Sequence, residues 1–518
     1  MEKEFNVTGT CRPARHYMAD VSAQFAQILS LVDKGKYFVI NRPRQYGKTT
    51  ALYALANTLR KRGDYVVFNI SFEGVGGLMF SNEKVFSQGF LDLLADDASV
   101  YAPELEAWIR KEALKVDSLK ALSKSITELA HQTDKKGLLL IDEIDQSLNN
   151  QLFIDFLALL RNKYLAQETF KTFHSIVLAG LHDIKSLKLK LRPDDEKKYN
   201  SPWNIAAKFT VDMNLQPSEI KPMLDEYCAD KGVIMDTQQM ADRLFYHTSG
   251  YPFLVSSLCK IIDEEILPEK EEQTWTETDL KAAVRRLLME SNTNFDTLIK
   301  SLENDKALYD LVYRIIMEGD VVYLNLHEPL INMGLMHGIF KNEGQIKIHN
   351  RIYESLLYDY MTAKTTVAMQ SYINYAEHFK LENNGLNMPA ALLKFQQFMK
   401  EEFNEKDKTF LERQGRLVFL SFLTPVLNGK GQTFKEVQVS EEKRLDIVTT
   451  YFQHKYIIEL KRWYGEEAHQ RGLNQLADYL EIHSVKEGYL VIFEYNKVKS
   501  WRSDWIEHQG KRIFAVWV

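Results

Sequence analysis

The sequence is poor in cysteine and has no long apolar run, and both shortages narrow what the chain can be. Its three cysteines, Cys11, Cys228 and Cys259, lie far apart and show no C-x-x-C spacing. This pattern argues against a disulfide framework and a zinc ribbon, and it fits a reducing compartment. No apolar run approaches the roughly 20 residues that a membrane-spanning helix needs. The segment MEKEFNVTGTC lacks the basic-then-apolar order of a signal peptide, so we expect a cytoplasmic protein with no membrane partner.

A strong charge of either sign is also missing. The formal net charge is -6, whereas proteins that wrap nucleic acid along their whole surface are usually basic. Any contact with nucleic acid must therefore come from local patches, and the charge neither requires nor excludes it. The composition, 45% hydrophobic and 26% charged, is typical of globular domains. A chain of 518 residues is too long for one hydrophobic core and predicts two to four domains.

Three blocks follow one another along the chain. Residues 1–265 alternate apolar strand patterns with amphipathic helices, which predicts an α/β domain with a parallel sheet covered on both faces. Residues 266–365 begin in an acidic, proline-containing linker and continue as helices with a short strand pair, an order that suggests a winged-helix module. Residues 366–518 start with helices and then turn to β patterns, so we expect a further α/β domain there.

One segment of the first block, YFVINRPRQYGKTTALYAL, has the strand–loop–helix order of a phosphate-binding loop. The common pattern is G-x-x-x-x-G-K-[ST], but Arg42 occupies its first glycine position. Gly47 keeps the glycine before the lysine, where backbone freedom is needed most. We predict that Lys48 reaches the β- and γ-phosphates of a nucleotide and that the Thr49 hydroxyl binds Mg²⁺. The predicted cofactor-binding residues are Arg42, Pro43, Arg44, Gln45, Tyr46, Gly47, Lys48, Thr49 and Thr50.

A second motif, KKGLLLIDEIDQ, is an apolar strand that ends in Asp142 and Glu143. A carboxylate at a strand tip can hold the water shell of Mg²⁺, and we predict this role for Asp142. The neighbouring acid can orient or deprotonate the attacking water, which makes Glu143 the predicted catalytic residue. The alternative is that both acids merely end a solvated strand. The two motifs in this order favour ATP and Mg²⁺ as cofactors.

Further segments occur in order with these motifs: HYMADVSAQFAQIL, VVFNISFEG, SIVLAGLHDIKSLK, SPWNIAAKFTVDM and HTSGYPFLVSSLC. Together with NRPRQYGKTT they resemble the bacterial AAA-like ATPases, which belong with the STAND and archaeal-ATPase branch of P-loop NTPases. The resemblance implies a helical lid whose SGYP turn, Ser249 to Pro252, lies close to the adenine. It also implies that His182 or Asp183 lies near a sensor position, that the middle block is a winged helix, and that the chain can form homo-oligomers.

The last block carries residues suited to metal-dependent chemistry. Asp446 lies in the predicted strand RLDIVTTYF, Glu459 and Lys461 lie in the predicted strand KYIIELK, and Gln475 lies on a predicted helix. Two carboxylates on adjacent strands can share a divalent cation, and Lys461 can place or activate water beside a phosphate. Glu412, on another predicted helix, could support the metal ligands from behind or hold a second metal, and Gln475 could orient the phosphate, the lysine or water. E-x-K alone is common, and a solvated acid–base pair is the alternative.

The order of these residues along the last block resembles the PD-(D/E)XK nuclease superfamily: Glu412, Asp446, the Glu-x-Lys pair and the Gln-x-x-x-Tyr helix. The last of these, the helix, resembles the RecB-type branch of that superfamily. Leu445 stands where the family name has proline, but proline is not a ligand. The resemblance implies metal ligation by Glu412, Asp446 and Glu459, with Asp446, Glu459, Lys461 and Gln475 as the catalytic set. It also implies nucleic acid as the partner, with DNA favoured, and by analogy a role in bacterial genome defence or mobile elements.

Three hypotheses follow for the whole chain. The leading one is an ATP-switched NTPase with a winged helix, fused to a Mg-dependent nuclease. In the second, the C-terminal domain keeps the nuclease fold for binding only, and the NTPase is a regulatory or DNA-binding switch. In the third, the chain is an ATPase scaffold for protein partners. The sequence leaves open whether the substrate is DNA or RNA, and it does not fix the oligomeric state.

Overall fold

The computed structural model describes most of the chain: residues 2–147, 150–181, 205–318, 320–368, 379–402, 419–420, 422–423, 427, 431–435, 446–451, 454–463, 465–482, 485–494 and 500–518. The chain forms two compact units. The first comprises Met1–Leu298, His327–Phe340 and His349–Ile352, and the second comprises Ile299–Leu326, Lys341–Ile348 and Tyr353–Val518. The three-domain division at residues 265 and 365 stays a prediction.

A parallel sheet organises the first unit. Its strands are β1 (Tyr37–Asn41), β2 (Tyr65–Ser71), β3 (Lys136–Asp142) and β4 (Ser175–Gly180). They lie in the order β1-β4-β3-β2, and every neighbouring pair is parallel. Because side chains alternate between the two faces of a strand, a sheet that is covered on both faces needs apolar residues at nearly every position. The nearly continuous burial along these strands agrees with that requirement.

Helices cover both faces of this sheet. They are α1 (Ser22–Asp33), α2 (Lys48–Arg62), α3 (Glu83–Ala98), α4 (Pro103–Ala113), α5 (Leu119–His131) and α6 (Gln151–Leu165). Leu138 and Leu140 of β3 pack in one core with α1 and α2. The alternate residues of the same strand, Leu139 and Ile141, pack in a second core with α3, α4, α5 and α6. The predicted parallel sheet with helices on both faces is confirmed.

A helical segment follows the sheet within the first unit. It contains α7 (Pro217–Lys231), α8 (Thr237–Thr248), α9 (Pro252–Ile261) and α10 (Glu277–Met289). The N-terminal segment packs against it, because the Phe5 ring lies 5.0 Å from the Tyr227 ring of α7 and 6.0 Å from the Trp275 ring. The Tyr17 hydroxyl also donates a hydrogen bond to Asp230, at 2.9 Å. Residues at the start of the chain therefore form part of the core of this helical segment.

Helices and a small sheet come next along the chain. They are α11 (Thr293–Glu303), α12 (Lys306–Tyr313), β5 (Val322–Tyr323), α13 (Pro329–Met336), β6 (Phe340–Asn342), β7 (Gln345–Ile348) and α14 (Arg351–Ala368). The strands lie in the order β5-β7-β6, and β5 pairs with β7 in the antiparallel sense. The winged-helix proposal depends on this order of helices and short strands.

A mixed sheet dominates the end of the second unit. Its elements are α15 (Met388–Glu402), β8 (Gly431–Lys435), β9 (Asp446–Tyr451), β10 (His454–Arg462), α16 (Glu466–Ile482), β11 (Glu487–Phe493), β12 (Ser503–His508) and β13 (Lys511–Trp517). The strand order is β12-β13-β11-β10-β9-β8. Strands β8, β9 and β10 form an antiparallel meander, and α16 then connects β10 to the parallel strand β11. Leu476 of α16 packs with Ile492 of β11 in the core of this sheet.

The described part of the chain contains no helix that combines the length and the apolar character needed to cross a bilayer.

Candidate nucleotide and metal sites

The loop between β1 and α2 has the geometry of an anion site. Gly47 precedes α2 with a φ of 77°, a left-handed conformation that glycine adopts without a steric penalty. No acidic residue lies in the first turn of α2, whose last turn carries Arg60, Lys61 and Arg62. The helix dipole and the unsatisfied N–H groups of the first turn therefore favour a bound anion at the start of α2.

Lys48 is the charged centre of this loop. Its side chain is buried, with 6% of the residue exposed, and its ammonium donates hydrogen bonds to the carbonyls of Arg42 (3.0 Å) and Pro43 (2.9 Å). In the described part of the chain no carboxylate lies within ion-pair distance of it. Burial lowers the pKa of Lys48, against the opposing attraction of nearby carboxylates, with Glu143 the strongest. A buried cation whose partners are carbonyls alone can accept a strong anionic ligand such as a phosphate.

Two acids follow the end of β3, the strand two positions away from β1 in the sheet. Asp142 is buried, and its Oδ1 accepts a hydrogen bond from the backbone N–H of Glu143 at 2.9 Å. Glu143 has a φ of 52°, which is uncommon for a residue with a side chain, and such strain is often found at functional sites. Burial raises the pKa of Glu143, with Lys48 acting in the opposite direction. The parallel sheet thus brings these acids to the same edge as the loop.

Arg42, which replaces the usual glycine, directs its side chain to another segment. Its guanidinium lies 5.0 Å from the Phe209 ring and donates hydrogen bonds to the carbonyls of Val211 and Asn41. The Arg42 backbone N–H donates to the carbonyl of Gly180 at 3.2 Å. The Arg42 side chain therefore contacts residues 209–211, and only the backbone of Arg42 borders the loop.

The other predicted loop residues differ in exposure. Arg44 and Thr49 are exposed, Gln45 and Thr50 are half-buried, and Pro43 is buried. The Thr50 hydroxyl accepts a hydrogen bond from the backbone N–H of Cys11 at 3.1 Å, so the N-terminal segment contacts the first turn of α2. The predicted sensor residues, His182 and Asp183, lie outside the described residues.

The sequence did not reveal a set of contacts that holds the loop, which we name the loop clamp: Tyr46, Tyr251, His349 and Gly338. The buried Tyr46 hydroxyl shares a hydrogen bond with Nε2 of His349 at 2.7 Å and donates another to Asn214. The Tyr251 hydroxyl donates to the carbonyl of Arg44 at 2.7 Å. Tyr46 and Tyr251 also pack edge to face, with centroids 4.4 Å apart. SGYP was the sequence signal for Tyr251, although its predicted role was an adenine contact.

Gly338 completes the clamp and provides a sharp test of it. A Cβ atom at this position would lie 2.7 Å from Cγ of Pro43, and the φ of 70° is already strained for any other residue. We expect Gly338→Ala to displace the loop and raise the KM for ATP at least several-fold. The measurement is ATP turnover against ATP concentration.

Gly344→Ala is the matched control, because Gly344 has a φ of 80° but no atom within 4 Å of the position that an added methyl group would occupy. Both variants carry the cost of about 1–2 kcal/mol for a left-handed residue with a side chain. Equal KM values for ATP in the two variants would show that the contact with Pro43 is irrelevant to the loop.

A second group of polar residues lies on the mixed sheet of the second unit. Glu459, in β10, is 1% exposed, and its Oε1 lies 2.7 Å from the Lys461 ammonium. That ammonium also donates to Oε1 of Gln475 on α16, at 2.8 Å. Gly472, one turn earlier on α16, packs against this lysine, and a Cβ there would make ordinary van der Waals contact with Cε of Lys461, at 3.4 Å. The structure therefore brings together three of the predicted residues: Glu459, Lys461 and Gln475.

For the other predicted metal ligands, Asp446 and Glu412, the structure gives only the strand position of Asp446. The strand register sets Asp446 directly opposite Glu459, at the start of β9. The side chain of Asp446 and all of Glu412 lie outside the part that the structure describes. Among the described residues, no group of three or more His, Cys, Asp or Glu side chains is arranged to hold a metal. The two strand positions are thus adjacent, as predicted, while the complete ligand set stays a prediction.

Comparisons with known proteins add distant similarities. No protein-family model and no curated protein matches the chain. Among solved structures, a Walker-type ATPase of Pyrococcus abyssi is 14% identical, with a TM-score of 0.47 over 68% of this chain and 99% of that one. The Aeropyrum pernix ORC2 protein is 13% identical (TM-score 0.36, 70% and 96% covered), and Thermotoga maritima RuvB is 14% identical (TM-score 0.34, 64% and 92% covered). All three TM-scores lie below 0.5, so these similarities assign no function to the chain.

Proposed function

We propose that the first unit binds and hydrolyses ATP. The observation that carries this proposal is the buried Lys48 ammonium, whose partners in the described chain are two loop carbonyls and no carboxylate. A buried cation is stabilised by a counter-charge, and a nucleotide phosphate supplies one. The left-handed Gly47 and the N-terminus of α2 add backbone donors for the same phosphates.

The residues around the loop divide the chemistry among them. Lys48 stabilises negative charge on the transferred phosphoryl group, while the first turn of α2 holds the neighbouring phosphate oxygens. Glu143 takes a proton from the attacking water. Thr49 and Asp142 offer oxygen ligands, which suit Mg²⁺, and few protein ligands suffice because this ion keeps waters and nucleotide oxygens. When bound, Mg²⁺ would neutralise part of the negative charge on the phosphates.

The raised pKa of Glu143 makes a prediction about pH. A general base works only when it is deprotonated, and burial raises the pKa of this carboxyl group above its ordinary value. We therefore expect ATP turnover to fall with decreasing pH through a pKa higher than that of an exposed glutamate. Glu143→Gln should remove most turnover while ATP binding persists. The measurement is a pH–rate profile, and an acidic limb at the ordinary glutamate pKa of about 4.3 would contradict the assignment.

We further propose that the mixed sheet carries a metal-dependent nuclease site. Asp446 and Glu459 are directly opposed on antiparallel strands, and such positions share one face of a sheet. Two carboxylates at these positions fit a divalent cation. When bound, such a cation would polarise a phosphodiester. Lys461, positioned by Glu459 and Gln475, can stabilise the charge that develops on the phosphate. Glu412 is proposed as an additional ligand.

The proposal for the whole chain is a nucleotide-controlled nuclease acting on nucleic acid, with DNA favoured and homo-oligomers as the working form. The segment 266–365 is proposed to be a winged helix that contacts the nucleic acid. The α/β architecture of the C-terminal sheet, with an antiparallel meander and a helix leading to a parallel strand, supports the nuclease-like fold.

One observation favours the second function, a regulatory switch that binds nucleic acid without cutting it. Lys461 already has two partners, the carboxylate of Glu459 and the amide oxygen of Gln475. Such a satisfied arrangement would also stabilise a strand with no catalytic role.

The test is incubation of the purified full-length protein with plasmid, linear duplex and single-stranded substrates. Mg²⁺ or Mn²⁺ is added, with and without ATP. Metal-dependent cleavage that changes with ATP would support the leading proposal. Binding without cleavage, together with ATP turnover, would support the switch. ATP turnover that is indifferent to DNA and RNA would support a scaffold for protein partners.

A further inference from the structure

A cluster of cationic and aromatic side chains lies at the end of the mixed sheet next to Lys461, and we name it the Arg502 cluster: Trp463, His469, Arg502 and Trp517. The Arg502 guanidinium lies 4.1 Å from the Trp517 ring and 5.9 Å from the Trp463 ring. The His469 ring is 5.6 Å from each of these two indoles. No member of the cluster belongs to the sites described above.

Arg502 is available to a ligand although its position is fixed. Its side chain is exposed, and the described part of the chain offers it no carboxylate within ion-pair distance. Its carbonyl, in contrast, accepts hydrogen bonds from the Trp517 backbone N–H and from the buried Gln396 amide, both at 3.0 Å. An arginine stacked on an indole still presents its N–H groups at the edge of the guanidinium plane, where they can bind phosphate in bidentate fashion.

Two further observations distinguish this cluster from simple core packing. The Trp517 indole N–H is buried, the residue being 2% exposed, and it has no hydrogen-bond partner among the described residues. Buried donors are usually satisfied, so this N–H can donate to a water or to a ligand atom that reaches it. Trp501, which precedes Arg502, has a φ of 43°, a strained conformation for a bulky residue.

The register relates the cluster to the proposed nuclease site. Lys461 is paired with Ile492, and Ile492 is paired with Trp517, so the lysine and the indole lie in one row across three strands. Two strand spacings amount to about 10 Å. A nucleic-acid strand that follows this row would therefore reach both Lys461 and the Arg502 cluster within a few nucleotides.

We propose that the Arg502 cluster binds the backbone of a nucleic-acid strand within a few nucleotides of the phosphate at Lys461. Arg502 contacts a phosphate, and the exposed side of Trp463 can stack with a base or sugar. This inference depends on the proposed nuclease or nucleic-acid-binding function of the second unit. It names the residues that hold the strand outside the reacting centre.

The test is binding of a short fluorescein-labelled single strand, and of its duplex, to the full-length protein in EDTA across a salt series. EDTA prevents metal-dependent cleavage, so binding is measured alone. We expect Arg502→Gln to weaken binding about tenfold, the effect of losing one charged hydrogen bond. For this variant, the slope of the logarithm of the binding constant against the logarithm of the salt concentration should also decrease in magnitude by about 0.7 with the single strand. Arg502→Lys, which keeps the charge, should retain the native slope.

Arg512→Gln is the matched control. Arg512 is also stacked on an indole, 4.0 Å from the Trp505 ring, but it lies five residues from Trp517 along β13. Equal losses in the Arg502 and Arg512 variants, or unchanged binding in Arg502→Gln, would overturn the proposal while leaving the nuclease hypothesis intact. Failure of the native protein to bind either probe would instead count against the proposed function of the second unit.

Discussion

Replacing Lys48 with alanine is expected to reduce ATP turnover by about 10²–10³-fold, the range for removing one preorganised group that stabilises transition-state charge. The ammonium is buried and hydrogen-bonded to loop carbonyls alone, whereas the neighbouring loop cation, Arg44, is exposed to solvent. For the same reason, the nucleotide-free variant should be at least as thermally stable as the native protein, because removing a buried cation removes its desolvation cost. The measurements are steady-state ATP hydrolysis and the Tm without nucleotide.

Lys163→Ala is the appropriate control for this experiment. Lys163 is another lysine whose burial lowers its pKa, and its ammonium donates to the Thr127 hydroxyl at 2.6 Å. It lies on α6, at its C-terminal end, and is not part of the loop. Turnover should persist in this variant. If Lys48→Ala hydrolysed ATP as fast as Lys163→Ala, the loop would not be the hydrolytic site.

Glu459→Gln is expected to abolish metal-dependent cleavage of nucleic acid. If Glu459 is the metal ligand that we propose, its replacement should cost more than the roughly 10–100-fold that is usual for residues hydrogen-bonded to metal ligands. Lys461→Met should also lower cleavage, by about 10²–10⁴-fold, the typical contribution of a positioned proton-transfer or charge-stabilising group. The measurement is the initial rate of plasmid cleavage as a function of Mg²⁺ or Mn²⁺ concentration. The residual cleavage of Lys461→Met should keep the native dependence on metal concentration, which would separate a role in activation from a role in metal ligation.

The two variants should differ in stability in a way that does not depend on activity. The Glu459 side chain is 2% exposed, whereas that of Lys461 is 28% exposed. Removing the lysine leaves a buried carboxylate without its cation, while removing the acid leaves an ammonium that can reach water. Lys461→Met should therefore lower the Tm more than Glu459→Gln does. The control is Glu481→Gln, which removes the exposed partner of Lys511 in the same unit. Native cleavage rates in Glu459→Gln would rule out a catalytic role for this strand.

The sequence was most informative where function depends on neighbouring residues. Gly47 and Lys48 belong to one short motif, and the parallel sheet that brings Asp142 to the same edge was predictable from the apolar strands. Glu459 and Asp446 were also predictable as residues of neighbouring strands, because the alternation of side chains along each strand marks it as β structure. These features depend on local periodicity and on the general rule that parallel strands end at a common edge.

The remaining features depend on contacts between residues far apart in sequence. Nothing in the loop motif indicates that Tyr46 bonds His349, because 303 positions separate them. The contact of Arg42 with Phe209 was equally hidden, and it explains how a long cation replaces glycine without blocking the loop. Arg502 belongs to none of the sequence motifs described above. Its stacking on Trp517 became visible only when β12 and β13 were placed side by side.

The loop clamp has a consequence for how the protein is made. The phosphate-binding motif is synthesised early, but two of its contacts come from Gly338 and His349. Loop closure over such a separation is slow compared with local structure formation, and chains fold as they emerge from the ribosome. A nascent chain that ends before residue 349 would therefore contain the complete motif without the contacts that shape it. Nucleotide affinity should appear late in translation, and fragments truncated before this point should bind ATP weakly even though every residue of the motif is present.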